Sequence, residues 1–168
     1  MMISTRGRYA LRVLVDLAEH SGGLVPMKDV AARQGISKKY MEQIMALLVK
    51  DGYVEGVHGK GGGYRLGRPP EQCVVGDILR LTEGSLAPVA CLSCDEPCER
   101  ADSCRTVGMW RRFEEITNEY FDGITVKDLS ENRITAGPAP PRAAPGRSGR
   151  PAPGRSPAHP VPRGAAAP

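Results

Sequence analysis

The sequence predicts a mainly α-helical fold that carries one small β-hairpin and, before an unpatterned tail, a long amphipathic helix. Three observations predict it. Apolar residues recur at helical spacing through most of the first 50 residues, and a Gly-rich stretch at 58–63 stands between two β-prone runs. Four of the eight aromatic residues gather at Trp110, Phe113, Tyr120 and Phe121. A chain of 168 residues, 40% of them hydrophobic, has room for one domain of ordinary size with an appendage, which excludes a large two-domain enzyme.

Ala10, Val13, Leu14, Leu17 and Ala18 define an amphipathic helix over roughly 5–20, stopped by Ser21-Gly22-Gly23. Pro26 suits the first position of a short second helix reaching about Arg33, and Gly35 makes a turn. Ser37 is a good N-cap for a third helix, with Ile36 and Met41 spaced as a hydrophobic staple. Met41, Ile44, Met45 and Leu48 form its inward stripe, and Gly52 closes it. A short helix, a Gly turn and a capped longer helix make a helix-turn-helix pattern. Tyr53–Val57 and Tyr64–Leu66, flanking His58-Gly-Lys60-Gly-Gly-Gly63, read as a hairpin, and a hairpin placed there is a wing. The expected class is therefore a winged helix-turn-helix with a small β-hairpin wing and a long C-terminal dimerisation helix.

Lys38 and Lys39 fall in the first turn of the third helix, where the helix dipole disfavours each cation by about 0.3–1 kcal/mol. A DNA phosphate at that place reverses the sign. The outward face continues through Glu42, Gln43 and Ala46; Glu accepts from cytosine N4, and Gln pairs with adenine N6 and N7. His58 and Lys60 stand at the wing tip. The net charge of +4 divides into +5 for residues 1–68, −6 for 69–136 and +5 for 137–168. A modest basic block suits polyanion contact, and the acidic middle opposes wrapping of nucleic acid by the whole surface.

Residues 1–68 are expected to be the winged helix-turn-helix region and 69–134 a sensor and dimerisation region. The segment 135–168, with 10 of the 15 Pro, repeated Pro-Gly-Arg-Ser and five Arg, is expected to be a disordered tail. No secretory pattern opens the chain. The longest apolar stretch, near 11–18, is broken by Arg12 and Asp16, whereas a membrane span needs about 20 apolar residues. No membrane contact and a cytoplasmic location are expected, where five Cys suit metal or redox chemistry better than a disulfide framework.

Cys91-x2-Cys94-x3-Cys98-x5-Cys104 places four thiols within 14 residues; Cys73 stands apart near the wing. Pro88 and Pro97 oppose helix, so the four are expected on a loop between a helix at 74–82 and a long helix at about 105–120. Thiolate-rich sites suit iron–sulfur clusters or zinc, while unligated thiols or a labile disulfide are the plain alternative. Asp95, Glu96, Glu99 and Asp102 around them fit no catalytic pair, and His20, His58 and His159 are scattered, so no enzyme is expected. Trp110, Phe113, Ile116, Tyr120 and Phe121 give the long helix a broad apolar stripe, read as a dimer interface rather than intradomain core.

Three separated stretches, Ile3–Leu11, Gly35–Gln43 and Gly59–Gly67, closely resemble the IscR-type winged-helix transcriptional regulators, the group that includes IscR, NsrR and CymR. The likeness runs on through Val75–Leu79, the Cys-rich segment and Ile124–Leu129, covering about residues 2–131. The resemblance implies a homodimeric regulator of transcription that binds a palindromic operator in double-stranded DNA, with repression the expected sign. It implies Glu42 and Gln43 as base readers, Ser37 and Tyr40 as backbone contacts, and His58 in place of a wing-tip Arg. It also matches Cys91, Cys98 and Cys104 to the usual cluster ligands. Val107 and Arg8 stand where relatives place a non-Cys fourth ligand, so Cys94 is the expected fourth. A [2Fe–2S] cluster comes first by resemblance, with [4Fe–4S] and zinc left open. The alternative is a CymR-like regulator of cysteine metabolism, governed by a sulfur-metabolism enzyme partner or by thiol redox state without a cluster.

Overall fold

The computed structural model describes residues 3–93, 98 and 100–134. The expected tail and the ligand role of Cys94 lie outside the described residues. Helix α1 spans Thr5–Glu19 and is N-capped by Ser4, whose Oγ accepts from the Gly7 amide at 3.3 Å. Its inner face, Ala10, Val13, Leu14 and Leu17, is at most 1% exposed. Helix α1 packs against the two helices that follow it, the second strand of the hairpin and the short helices at 75–83 and 126–130, because its apolar stripe is the centre of the main core.

Helix α2 spans Met27–Gln34 and α3 Lys38–Lys50. They are joined at Gly35, whose φ of 64° is left-handed backbone that favours glycine. Ile36 and Met41, spaced as a staple, are both buried. Pro26 is the N-cap of α2 rather than its first residue. Val25 pairs with Tyr64 in an antiparallel bridge, 2.8 Å in each direction, and that extended geometry carries through Pro26 (ψ 136°).

Strands β1 (Val54–Val57) and β2 (Gly63–Leu66) form the expected antiparallel hairpin, in the register Val54↔Leu66 to Val57↔Gly63. Helix α4 spans Val75–Glu83 and a four-residue helix α5 spans Ala90–Ser93. Helix α6 spans Val107–Asp122 and a short α7 spans Val126–Ser130. Cys91 thus sits on a helical turn, not on irregular loop. Pro88 opposes a helix interior but lies ahead of this turn, where a missing N–H is harmless. Helix α6 begins two residues later than its periodicity suggests, because a 3₁₀ turn over Ala101–Ser103 precedes it and Val107 N bonds back to Cys104 O.

Helix α7 was not anticipated, although Thr125-x-x-Asp128 is a capping-box signature. Thr125 Oγ1 accepts from the Asp128 amide at 3.2 Å, and Asp128 Oδ2 accepts from the Thr125 amide at 3.0 Å. The segment leading into α7 pairs with the one leading into α4: Val75 N donates to Ile124 O and Val126 N to Cys73 O, each at 2.9 Å. That pairing carries Cys73 into the main core, fully buried, with burial pushing its thiol up. It is a packing residue of that core. Among the described residues no helix is long and apolar enough to cross a membrane.

Candidate functional site

The face of α3 is built by its cap and its stripe. Ser37 Oγ accepts from the Tyr40 amide at 3.4 Å, and the buried stripe Met41, Ile44, Met45 and Leu48 anchors the helix from within. That leaves Ser37, Lys38, Lys39, Glu42, Gln43 and Ala46 exposed. Lys38 and Glu42 form an open pair at 3.9 Å, with 81% and 52% of their side chains in solvent. A pair this exposed contributes little, so both groups are available to another partner. No acidic residue occupies the first turn, so the positive helix end and both Lys project together.

Tyr40 differs from its neighbours. Its ring is half-buried against the core and meets Tyr9 edge-on, centroids 5.9 Å apart. It also lines an open cleft of about 380 Å³ with Ser4, Thr5, Arg6, Thr82 and Glu83. The wing tip, His58, Gly59, Lys60 and Gly61, is exposed. Below it Glu55 and Arg65 pair across the strands at 2.7 Å.

Sequence reasoning passed over the clamp behind this head. Asp16 is 2% exposed and receives both Arg33 Nε (2.9 Å) and Nη2 (2.6 Å), with Gln34 Nε2 at 2.9 Å. Burial alone would raise its pKa; the hydrogen bonds from Arg33 and Gln34, with the charges of Arg33 and His20, outweigh that and hold the carboxyl below its usual range. The signal was present, since an Asp inside the apolar stripe of α1 demands a buried cationic partner. A second overlooked joint links α4 to α6: Arg80 bonds Asp77 (2.9 Å), Asn118 (3.2 Å) and Asp122.

Cys91, Cys98 and Cys104 line one small pocket of about 90 Å³ with Leu92, Ala101, Val107 and Arg111. Cys104 Sγ lies 3.4 Å from Thr106 Oγ1, and that hydrogen bond draws its thiol pKa down. Among the described residues no three His, Cys, Asp or Glu stand close enough together to hold a metal ion. The three thiols therefore share a pocket without converging on a point. The donor chemistry still fits an iron–sulfur group, because soft thiolates are its usual ligands; Cys91 and Cys98 are exposed and Cys104 is half-buried, beside Leu92, Ala101 and Val107. Helix α6 starts at this pocket. None of its residues is buried, and Met109, Phe113, Ile116 and Tyr120 are 46–57% exposed.

A helix-turn-helix with an exposed reading face and an adjacent hairpin defines a winged-helix DNA-binding regulator of transcription, and the comparisons agree. Residues 3–132 match the family model Rrf2, described as an iron-dependent transcriptional regulator. The chain belongs to the Rrf2 family, whose members are regulators and not enzymes. It is 37% identical over 134 residues to the HTH-type transcriptional regulator IscR of Yersinia enterocolitica, covering 79% of this chain and 81% of that one. Among solved structures, CymR, the global cysteine regulator of B. subtilis, superposes with a TM-score of 0.66 at 34% identity, covering 79% and 98% of the two chains. IscR of T. potens superposes with a TM-score of 0.60 at 35% identity, covering 82% and 94%.

Proposed function

We propose that this chain is a cytoplasmic homodimeric repressor that binds a palindromic operator and whose DNA affinity responds to an iron–sulfur cluster held by Cys91, Cys94, Cys98 and Cys104. The observation that carries the sensing part is the sharing of one pocket by Cys91, Cys98 and Cys104 at the start of α6. Residues 1–68 act as the reading module, and 69–134 sense and dimerise. Lys38, Lys39, Ser37 and Tyr40 hold phosphates. Glu42 and Gln43 read base edges in the major groove. His58 and Lys60 meet the backbone or minor groove beside it. The tail at 135–168 adds Arg charge and no specific site.

The exposed residues of α6 at 109, 113, 116 and 120 are spaced by four, three and four, the seam of a two-helix coil. A second copy laid on that seam covers it and sets two α3 helices at half-sites one helical turn, or a multiple, apart. Bound by four thiolates, a [2Fe–2S] group supplies a redox- and oxygen-sensitive crosslink of the 91–104 segment; [4Fe–4S] or zinc would bind the same donors. The segment lies at the head of α6, and Arg80 ties α6 to α4, so the order of the thiol segment biases the angle between the two reading modules.

Anaerobic isolation followed by absorption spectroscopy and iron and sulfide analysis tests this. Visible bands and near-equal iron and sulfide are expected, with operator affinity differing between loaded and apo protein. A colourless protein without iron after reconstitution removes the cluster. The likeness to CymR then favours the second reading, a cysteine-metabolism regulator controlled by thiol oxidation or a partner enzyme.

A further inference from the structure

A wing reads DNA only if it is held at a set angle to the helix beside it, and we infer that Arg68 is the positioning residue that holds it. The inference rests on the reading of α3 and the wing tip proposed above. Strand β2 leaves the hairpin directly over the C-terminal end of α3. Gly67 N donates to Tyr53 O at 2.9 Å, and a Cβ at Gly67 would meet Gly52 O at 2.6 Å, so the exit admits only glycine. Arg68 then reaches back. Its Nη2 donates to Asp51 O at 2.6 Å and its Nε to Gly52 O at 3.2 Å. Asp51 is the C-cap of α3. The guanidinium carbon lies 4.1 Å from the centre of the Tyr53 ring, and Tyr53 is 4% exposed.

Each grip has its own physical basis. The Asp51 and Gly52 carbonyls, at the C-cap of α3 and just past it, stand at the negative end of its dipole, where a cation is favoured. The flat guanidinium stacks on an aromatic ring that is itself locked in the core. One side chain thus refers the strand exit to the reading helix and to the core. Both nitrogens that donate do so inward, which leaves Arg68 a poor phosphate contact; the exposed Arg65 is held instead by Glu55. The lever matters. Strand β2 runs from Leu66 back to Gly63, about 10 Å, and the tip at Lys60 lies one tight turn beyond it. A tilt of about 10° at the base moves the tip by about 2 Å, more than a hydrogen bond tolerates.

The full-length protein first selects a duplex from a random-sequence library. Dimethyl sulfate then reports guanine N7 in the major groove of that duplex, and hydroxyl radicals report its minor-groove sugars. With Arg68→Ala at saturating concentration, the guanine protection is expected to remain and the flanking sugar protection to disappear, while affinity falls about tenfold. Arg68→Lys keeps the charge but not the planar two-pronged grip, so it shows the same separation in weaker form and serves where the Ala variant loses its far-UV circular dichroism. In folded variants, equal loss of both protections, or no change in either, overturns the inference. So does a wild-type complex without flanking protection, which leaves no wing contact to position. A wild-type protein that selects no duplex overturns the reading of α3 itself, and that outcome appears before any variant is made.

Discussion

Removing the Arg33 guanidinium leaves a buried carboxylate without its main partner. Asp16 keeps only the Gln34 amide at 2.9 Å and His20 at 3.7 Å. Breaking one side of a buried ion pair costs about 3–5 kcal/mol. The Arg33 side chain is 36% exposed, so water reaches the vacated end, and the lower value of about 2–3 kcal/mol is expected for Arg33→Ala near pH 7. The pH dependence is the sharper signature. In the parent protein Asp16 is held below its ordinary value, against the upward pull of burial, by the Arg33 and Gln34 hydrogen bonds and the nearby cations. Its contribution is therefore present above the unfolded value of about 3.9 and lost as pH falls through the folded value. Without Arg33, burial dominates and the folded value moves above the unfolded one. The penalty in the variant is then full at neutral pH and disappears as pH falls toward about 4. Urea unfolding at fixed protein concentration, from about pH 7 to about pH 4.5, measures the gap between the two proteins. The gap should shrink on acidification, and Asp16→Asn should abolish that trend. A gap below about 0.5 kcal/mol at pH 7, or one that does not change with pH, refutes the buried-charge account.

Three further outcomes are expected. Ile116→Glu places a charge in the centre of the exposed seam of α6; sedimentation should show a monomer, and operator binding should fall with it, whereas an unchanged dimer would move the interface elsewhere. Lys39→Ala should reduce the slope of log K against log[salt] by about one without changing base preference, and Glu42→Ala should relax preference at one operator position by about 1–3 kcal/mol. Quantitative binding to a panel of single-substitution operators separates the two, and identical effects would contradict the division between phosphate and base contacts. Thr125→Val removes the reciprocal cap of α7 and should lower stability by about 1 kcal/mol in thermal or urea unfolding, where no change would show that the capping box is dispensable.

Elements governed by neighbours in sequence are legible in the residues alone. The stripe of α1, the Ser37 cap, the turn at Gly35 and the hairpin all follow from local spacing and backbone preference, and each is present. The exposure of Glu42 and Gln43 followed from the same arithmetic, because a buried stripe of period 3.6 dictates which side chains face out. Legibility failed where a partner comes from far along the chain. Pro26 was misplaced by one position because Val25 pairs with Tyr64, 39 residues away. Cys73 stands apart near the wing in sequence, and only its pairing with the segment before α7 takes it into the core.

The sequence by itself determined the kind of protein: an Rrf2-family winged-helix regulator with a reading face, a wing, four closely spaced Cys and an apolar long helix. These are properties of residue type and short-range period, which act before the chain closes on itself. Only the tertiary structure decided what holds those parts in relation: Asp16 with Arg33 between α1 and α2, Arg68 between the wing and α3, Arg80 between α4 and α6, and three thiols around one pocket. Such joins depend on distances between residues remote in sequence. Spacing along a chain carries no information about them until the core has brought those residues face to face.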